Sequence, residues 1–148
     1  MIGTRIATGL LATAVAAVVV GCAPTAEPQT DTASAYPSET LAPLFQQMLP
    51  NVRDTTFTSA IVTFPPAARA VPHRHGDAFV YAYVLEGAVS SQLEGEPAHV
   101  YHRGENWSEQ PGAHHLATEN ASTTEPAKLL VVFVATTGEQ LKIDHPHR

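Results

Sequence analysis

The chain has 148 residues, 44% of them hydrophobic, and a formal charge of −6. That length holds one domain with its own core. The acidic balance removes any electrostatic reason to bind nucleic acid or an anionic membrane surface, and the single cysteine, Cys22, excludes an internal disulfide.

Residues 1–20 carry one charge, Arg5, ahead of an apolar stretch rich in Ala, Val and Leu. A short charged region followed by a hydrophobic one is the layout of an export signal, too short and too weakly flanked to read as a spanning helix. Cys22 follows Val19, Val20 and Gly21 and precedes a polar stretch. An apolar residue, a small residue and then cysteine resembles the lipobox of bacterial lipoproteins. The resemblance implies cleavage before Cys22, lipidation of its sulfur, and a place in the bacterial cell envelope, held to the membrane by lipid. The alternative is ordinary signal cleavage that leaves a free thiol. Either cleavage also removes Arg5 and leaves the chain one charge more negative. Residues 22–38 contain Pro24, Pro28 and Pro37 among small and polar residues and have too little apolar surface to fold. They read as a disordered tether between the signal (1–21) and a folded domain (39–148).

Residues 38–50 are ambiguous: Leu41, Leu44, Phe45, Met48 and Leu49 fit helical spacing with Ser38 as a cap, while 44–49 also reads as an edge strand. The all-β pattern that follows favours the strand. Residues 55–64 alternate with β-branched side chains throughout and stop at Pro65 and Pro66. Further strands are predicted over 71–75, 79–85, 88–93, 98–102, 107–109, 115–120 and 128–135, with 136–148 as a closing tail. About nine short strands, turn signals every eight to twelve residues and no convincing long helix predict an all-β sandwich or barrel.

His73 and His75 lie two residues apart on an extended segment, so both project from one face, about 6–7 Å apart at the backbone and within reach of one cation. The region from 67 to 120 resembles the cupin superfamily of small jelly-roll β-barrels. The family's first motif, G-(x)5-H-x-H-(x)3,4-E-(x)6-G, is met by His73, His75 and Gly87, with Ala67 in place of the opening glycine and Val80 or Phe79 at the glutamate position. The second, G-(x)5-P-x-G-(x)2-H-(x)3-N, is met by Gly104, Gly112 and His115. Its proline position holds Gln110, with Pro111 one later, and its asparagine position holds Glu119, with Asn120 one later. The resemblance implies a jelly-roll barrel and, residue by residue, His73, His75 and His115 as ligands of a divalent transition metal (Fe, Zn, Ni, Cu or Mn). The contrary reading is a former metal site whose histidines hydrogen-bond within a ligand pocket.

Without the motif carboxylate, affinity for harder ions such as manganese should fall and one coordination position should open. Asp77, Gln92 and Glu105 are candidate replacements, and a water molecule is the expected occupant. His114 should face away from His115, and His99 and His102 should lie on opposite faces. His145 and His147 fall in a polar tail. Phe79, Tyr81, Tyr83, Trp107 and Phe133 read first as core and second as a pocket lining. Arg69, Arg74 and Arg103 read as surface residues near the mouth. Neither a nucleophile elbow nor a phosphate loop is present. Two functions stand side by side: a metal-dependent oxygenase or isomerase acting on a small molecule, and a non-catalytic small-molecule or metal binding module at the cell surface. A homodimer is expected from the resemblance.

Overall fold

A computed structural model of the chain describes residues 36–145. The export signal, Cys22, most of the expected tether and His147 lie outside the described residues.

Among the described residues the secondary structure is all β. Ten strands run in order: β1 (Thr40–Met48), β2 (Thr55–Phe64), β3 (His73–Arg74), β4 (Phe79–Glu86), β5 (Ala88–Leu93), β6 (His99–His102), β7 (Asn106–Glu109), β8 (His114–Asn120), β9 (Ala127–Thr136) and β10 (Ile143–Asp144). They form two five-stranded sheets, β1-β2-β9-β4-β7 and β10-β3-β8-β5-β6, antiparallel throughout. The ambiguous segment at 38–50 forms a strand, beginning at Thr40 rather than at 44. It tolerates Pro43 because it lies at a sheet edge, and its register with β2 slips between Pro43 and Phe45. The expected tail contributes β10, which pairs with β3.

The core follows from period-two alternation. Val80, Ala82 and Val84 on β4, and Ala127, Leu129, Val131, Phe133 and Ala135 on β9, all point inward and are buried. Pairing of β9 with β2 runs unbroken from Thr55↔Thr136 to Phe64↔Ala127, adding Val62 and Phe64 to the same apolar wall. The opposing sheet is different. Its inward residues include His73, Ser91, His115 and Thr118, all buried. One wall of the interior is therefore apolar and the other polar, and a buried polar wall requires partners.

One irregularity sets the alignment of that polar wall. The β5–β8 register pairs Gln92 with Ala117 and Leu93 with His115, so one extra residue sits in β8. Such a bulge shifts the parity of everything after it. His115 faces inward, and so do Thr118 and Asn120. The motif asparagine is thereby displaced by one: Glu119 makes a surface ion pair with Arg69 at 3.4 Å, while Asn120 is buried. Asn120 Nδ2 donates to the carbonyls of Phe64 (3.2 Å), Pro65 (3.0 Å) and Glu125 (2.8 Å), and its Oδ1 accepts from the Ser122 N–H (2.9 Å). This side chain ties the end of β2 to the loop before β9.

Two motif positions carry unusual backbone. Gly87 turns β4 into β5 with φ +72°, and a Cβ there would meet the Pro126 carbonyl oxygen at 2.8 Å. Ala67, standing where the motif begins with glycine, keeps φ +58°. The left-handed conformation that glycine adopts freely is thus retained by a residue that adopts it at a cost.

Candidate metal centre

β3 and β8 pair so that His73 lies directly opposite His115, with ring centroids 5.1 Å apart. His75 follows on the same side of the chain, its ring 4.8 Å from that of His73. All three are buried, and each offers a ring nitrogen within 4.8 Å of the others. The sequence-predicted trio is therefore brought together.

Hydrogen bonds orient the rings. His73 Nδ1 lies 2.7 Å from the Val71 carbonyl oxygen, and His75 Nδ1 bonds to the Leu141 carbonyl. A carbonyl only accepts, so both Nδ1 atoms carry the proton and both Nε2 atoms keep a lone pair for the interior. His115 is held from the other side: its Nε2 bonds Ser91 Oγ at 2.8 Å and Thr118 Oγ1 at 2.9 Å. The β8 bulge is what brings Thr118 to that position. Burial pushes the His73 imidazole down to about 4, with the charges of His75 and His115 adding to the effect against the Val71 bond. Burial also lowers His75, partly offset by a carboxylate beside it. Both are neutral at physiological pH, the form in which imidazole binds metals.

That carboxylate is Glu109, which the sequence reading missed. It lies on β7 and is 3% exposed. Its Oε1 lies 3.1 Å from His115 Nδ1 and accepts from the Trp107 Nε1–H at 3.1 Å; its Oε2 lies 3.7 Å from His75 Nε2. Burial pushes the Glu109 carboxyl up, but His115, His75 and Trp107 outweigh it and hold it below the ordinary carboxylate range. A signal for it existed: Trp107 and Glu109 alternate in a short strand, so a buried Trp107 places Glu109 on the inner face.

The three proposed replacements are elsewhere. Asp77 is exposed. Gln92 Nε2 donates to the Glu96 carbonyl at 3.3 Å, and exposed Glu105 accepts from the His102 N–H at 2.6 Å. His114 faces the other way, with its ring 5.9 Å from that of His145, and His99 and His102 are exposed.

The histidines and Glu109 open on a cavity of about 260 Å3. Its other walls are largely apolar, built from Val62, Phe64, Val80, Val131 and Phe133, with Trp107 at one side. Phe79, Tyr81 and Tyr83 do not line it, because the inward positions of β4 are Val80, Ala82 and Val84. No arginine lines it either: Arg74 donates to the Gly112 carbonyl at 2.6 Å and Arg69 stacks over Tyr36. The cation on its lining is Lys142, paired with Glu39 at 2.6 Å and Asp144 at 3.0 Å.

The donor set fits a divalent transition metal. Glu109 Oε2 and His115 Nδ1 are buried without a hydrogen-bond partner, and a cation between them and the other imidazoles would satisfy both.

The family model for the cupin domain matches residues 60–133, half of the chain. The chain belongs to the cupin family. The cupin barrel is also similar to solved structures. One is the DMSP lyase DddQ from Ruegeria pomeroyi, with 21% identity over 72% of this chain and 51% of that one at a TM-score of 0.58. Another is the cupin domain of Schizosaccharomyces pombe Cnp3, with 16% identity over 66% and 61% at 0.55. A third is an oxalate oxidase in complex with the substrate analogue glycolate, with 20% identity over 68% and 52% at 0.53. At these identities the likeness is one of fold, and this cupin spans about half to three-fifths of their lengths. None of the curated proteins matches the chain in sequence.

Proposed function

We propose that this cupin is a metal-dependent enzyme, of the oxygenase or isomerase kind, acting on a small and largely apolar molecule. The observation that carries the reading is the convergence of buried His73, His75 and His115 on an apolar cavity of about 260 Å3. A bound divalent metal there supplies Lewis acidity and an open position for a chelating substrate or dioxygen. The chain's own residues do the rest. The Val71 and Leu141 carbonyls keep the Nε2 lone pairs of His73 and His75 directed inward. The apolar wall desolvates the substrate body and excludes water, which strengthens polar contacts at the site. Two of the similar structures, a lyase and an oxidase, differ in chemistry, so the fold does not choose between reactions.

Elemental analysis of the purified domain from Ala23 onward tests the reading. The parent should carry close to one equivalent of transition metal, and a His73→Ala/His75→Ala double variant should carry almost none. Equal metal in both would sink the assignment.

The proposal includes placement in the bacterial envelope through lipid on Cys22. Membrane fractionation reads this directly: Cys22→Ser should move the protein to the soluble fraction, and unchanged partitioning argues against the anchor. A homodimer also belongs to the proposal, and the exposed Leu44, Phe45 and Met48 on edge strand β1 supply a surface for it.

A further inference from the structure

The family's glutamate position holds Val80, which is 1% exposed and has no donor atom. β4 pairs with β7 so that the residue directly across from Val80 is Glu109. Partners across an antiparallel pair have Cβ atoms about 4.5–5.5 Å apart and point to the same face. A carboxylate at Glu109 can therefore reach nearly the volume that one at position 80 would reach, from the neighbouring strand.

We infer that Glu109 has taken over the role of the missing motif glutamate and is the fourth protein ligand of the metal held by His73, His75 and His115. The inference rests on the metal reading given above.

Three observations carry it. The first is spacing. Two donors each about 2.1 Å from one cation are about 3.0 Å apart at a right angle and about 4.2 Å apart when opposite. Glu109 Oε2 to His75 Nε2 is 3.7 Å, inside that range, and Oε1 at 3.1 Å from His115 Nδ1 sets the same carboxylate against a second imidazole. The second is the state of the oxygens. Oε1 is held by the Trp107 N–H, yet Oε2 is buried with no hydrogen-bond partner. A role confined to bracing Trp107 and His115 would leave that oxygen unexplained, since a buried unpartnered acceptor costs about 1–3 kcal/mol. The third is the lack of a rival on the cavity wall. The other carboxylate lining it, Glu39, is engaged by Lys142.

The consequence reverses the expectation drawn from the sequence motif. With a carboxylate in the donor set, the site keeps its affinity for harder, oxygen-preferring ions such as manganese. Glu109 is also held by an indole N–H, so its orientation is set before the ion arrives.

The test is a manganese titration of the metal-stripped full-length protein beside Glu109→Gln, which preserves shape and removes the charge. Urea unfolding of both metal-free proteins checks that the variant is folded. Glu109→Gln should bind manganese at least about 10–100-fold more weakly than the parent, the loss typical even of groups that only support a ligand. The visible spectrum of the cobalt-loaded form should change as well. Equal affinity and an unchanged cobalt spectrum would overturn the inference and leave the three-histidine site standing. No binding by the parent would overturn the metal reading and this inference with it. If Glu109→Gln does not fold, a structure of the manganese-loaded parent decides: a Glu109 oxygen at bonding distance from the ion supports the assignment, and one turned away refutes it.

Discussion

Replacing Asn120 with alanine should lower the unfolding free energy by about 3 kcal/mol, read as a drop in the urea midpoint. The figure comes from the two N–H donors and one oxygen acceptor of the side-chain amide, at about 1 kcal/mol each. The two N–H donors are shared among the carbonyls of Phe64, Pro65 and Glu125, of which Pro65 also accepts from the Ala68 N–H at 3.1 Å. A domain of this size has only about 5–15 kcal/mol in total, so the loss would be a large share of it. Asn120→Asp is the sharper variant. It is nearly isosteric and keeps the acceptor for the Ser122 N–H, but it turns a second oxygen toward three carbonyl oxygens. It should be as damaging as alanine or more so. A loss below about 1 kcal/mol for Asn120→Ala would mean that water replaces these bonds and that the side chain does not hold the loop.

Acid should destabilise the metal-free domain well before the carboxylates titrate. His73 has an ordinary value of 6.5 and is pushed to about 4 in the fold, chiefly by burial. As pH falls below 6.5, the unfolded chain takes up a proton that the native His73 refuses, so the unfolded state gains. The loss is about 3 kcal/mol between pH 7 and pH 4 and levels off below pH 4 for this residue. Glu109 acts in the same direction at lower pH. Its native carboxyl stays ionised below the unfolded value of 4.5, and that contribution is lost as pH falls through its depressed native value. Urea unfolding at a series of pH values measures the slope. Subtracting the same series for His73→Asn isolates the residue. A parent with flat stability from pH 7 to pH 4, or a variant with the same slope as the parent, would contradict the account. Saturating metal should oppose the loss, because it binds only the folded, deprotonated site; at a hundred times its dissociation constant it adds about 2.7 kcal/mol.

The first prediction concerns the last residue of β8 and the second a histidine paired with His115 near its start, and the bulge in that strand links them. Without the extra residue opposite Gln92 and Leu93, Thr118 would face outward and His115 would lose one of its two hydroxyl partners. Asn120 would face outward too. The same local irregularity therefore orients a candidate ligand and places a structural anchor, which explains why Asn120 stands one residue later than the motif spacing expects.

His73 and His75 were legible from the sequence because their placement depends on local geometry, and His115 because it fits the second cupin motif. An alternating strand fixes which side chains share a face, and glycine at positions such as Gly87 marks where the chain must turn. Most strands were legible for the same reason: their period and their stops are written in neighbouring residues. The all-β class and the likeness to cupins came with them. The carboxylate was legible only in part: alternation with Trp107 puts Glu109 on the inner face, but its place beside the imidazoles depends on register between strands. Glu109 is 34 residues from His75 and 6 from His115, a spacing that says nothing until β7 is laid beside β4 and Glu109 falls opposite Val80. The anchor at Asn120 was hidden in the same way, since a bulge is a relation between two strands and leaves no mark in one of them. Local periodicity therefore paired His73 with His75, the motif resemblance added His115, and only the pairing of the sheets decided which acidic side chain stands among them.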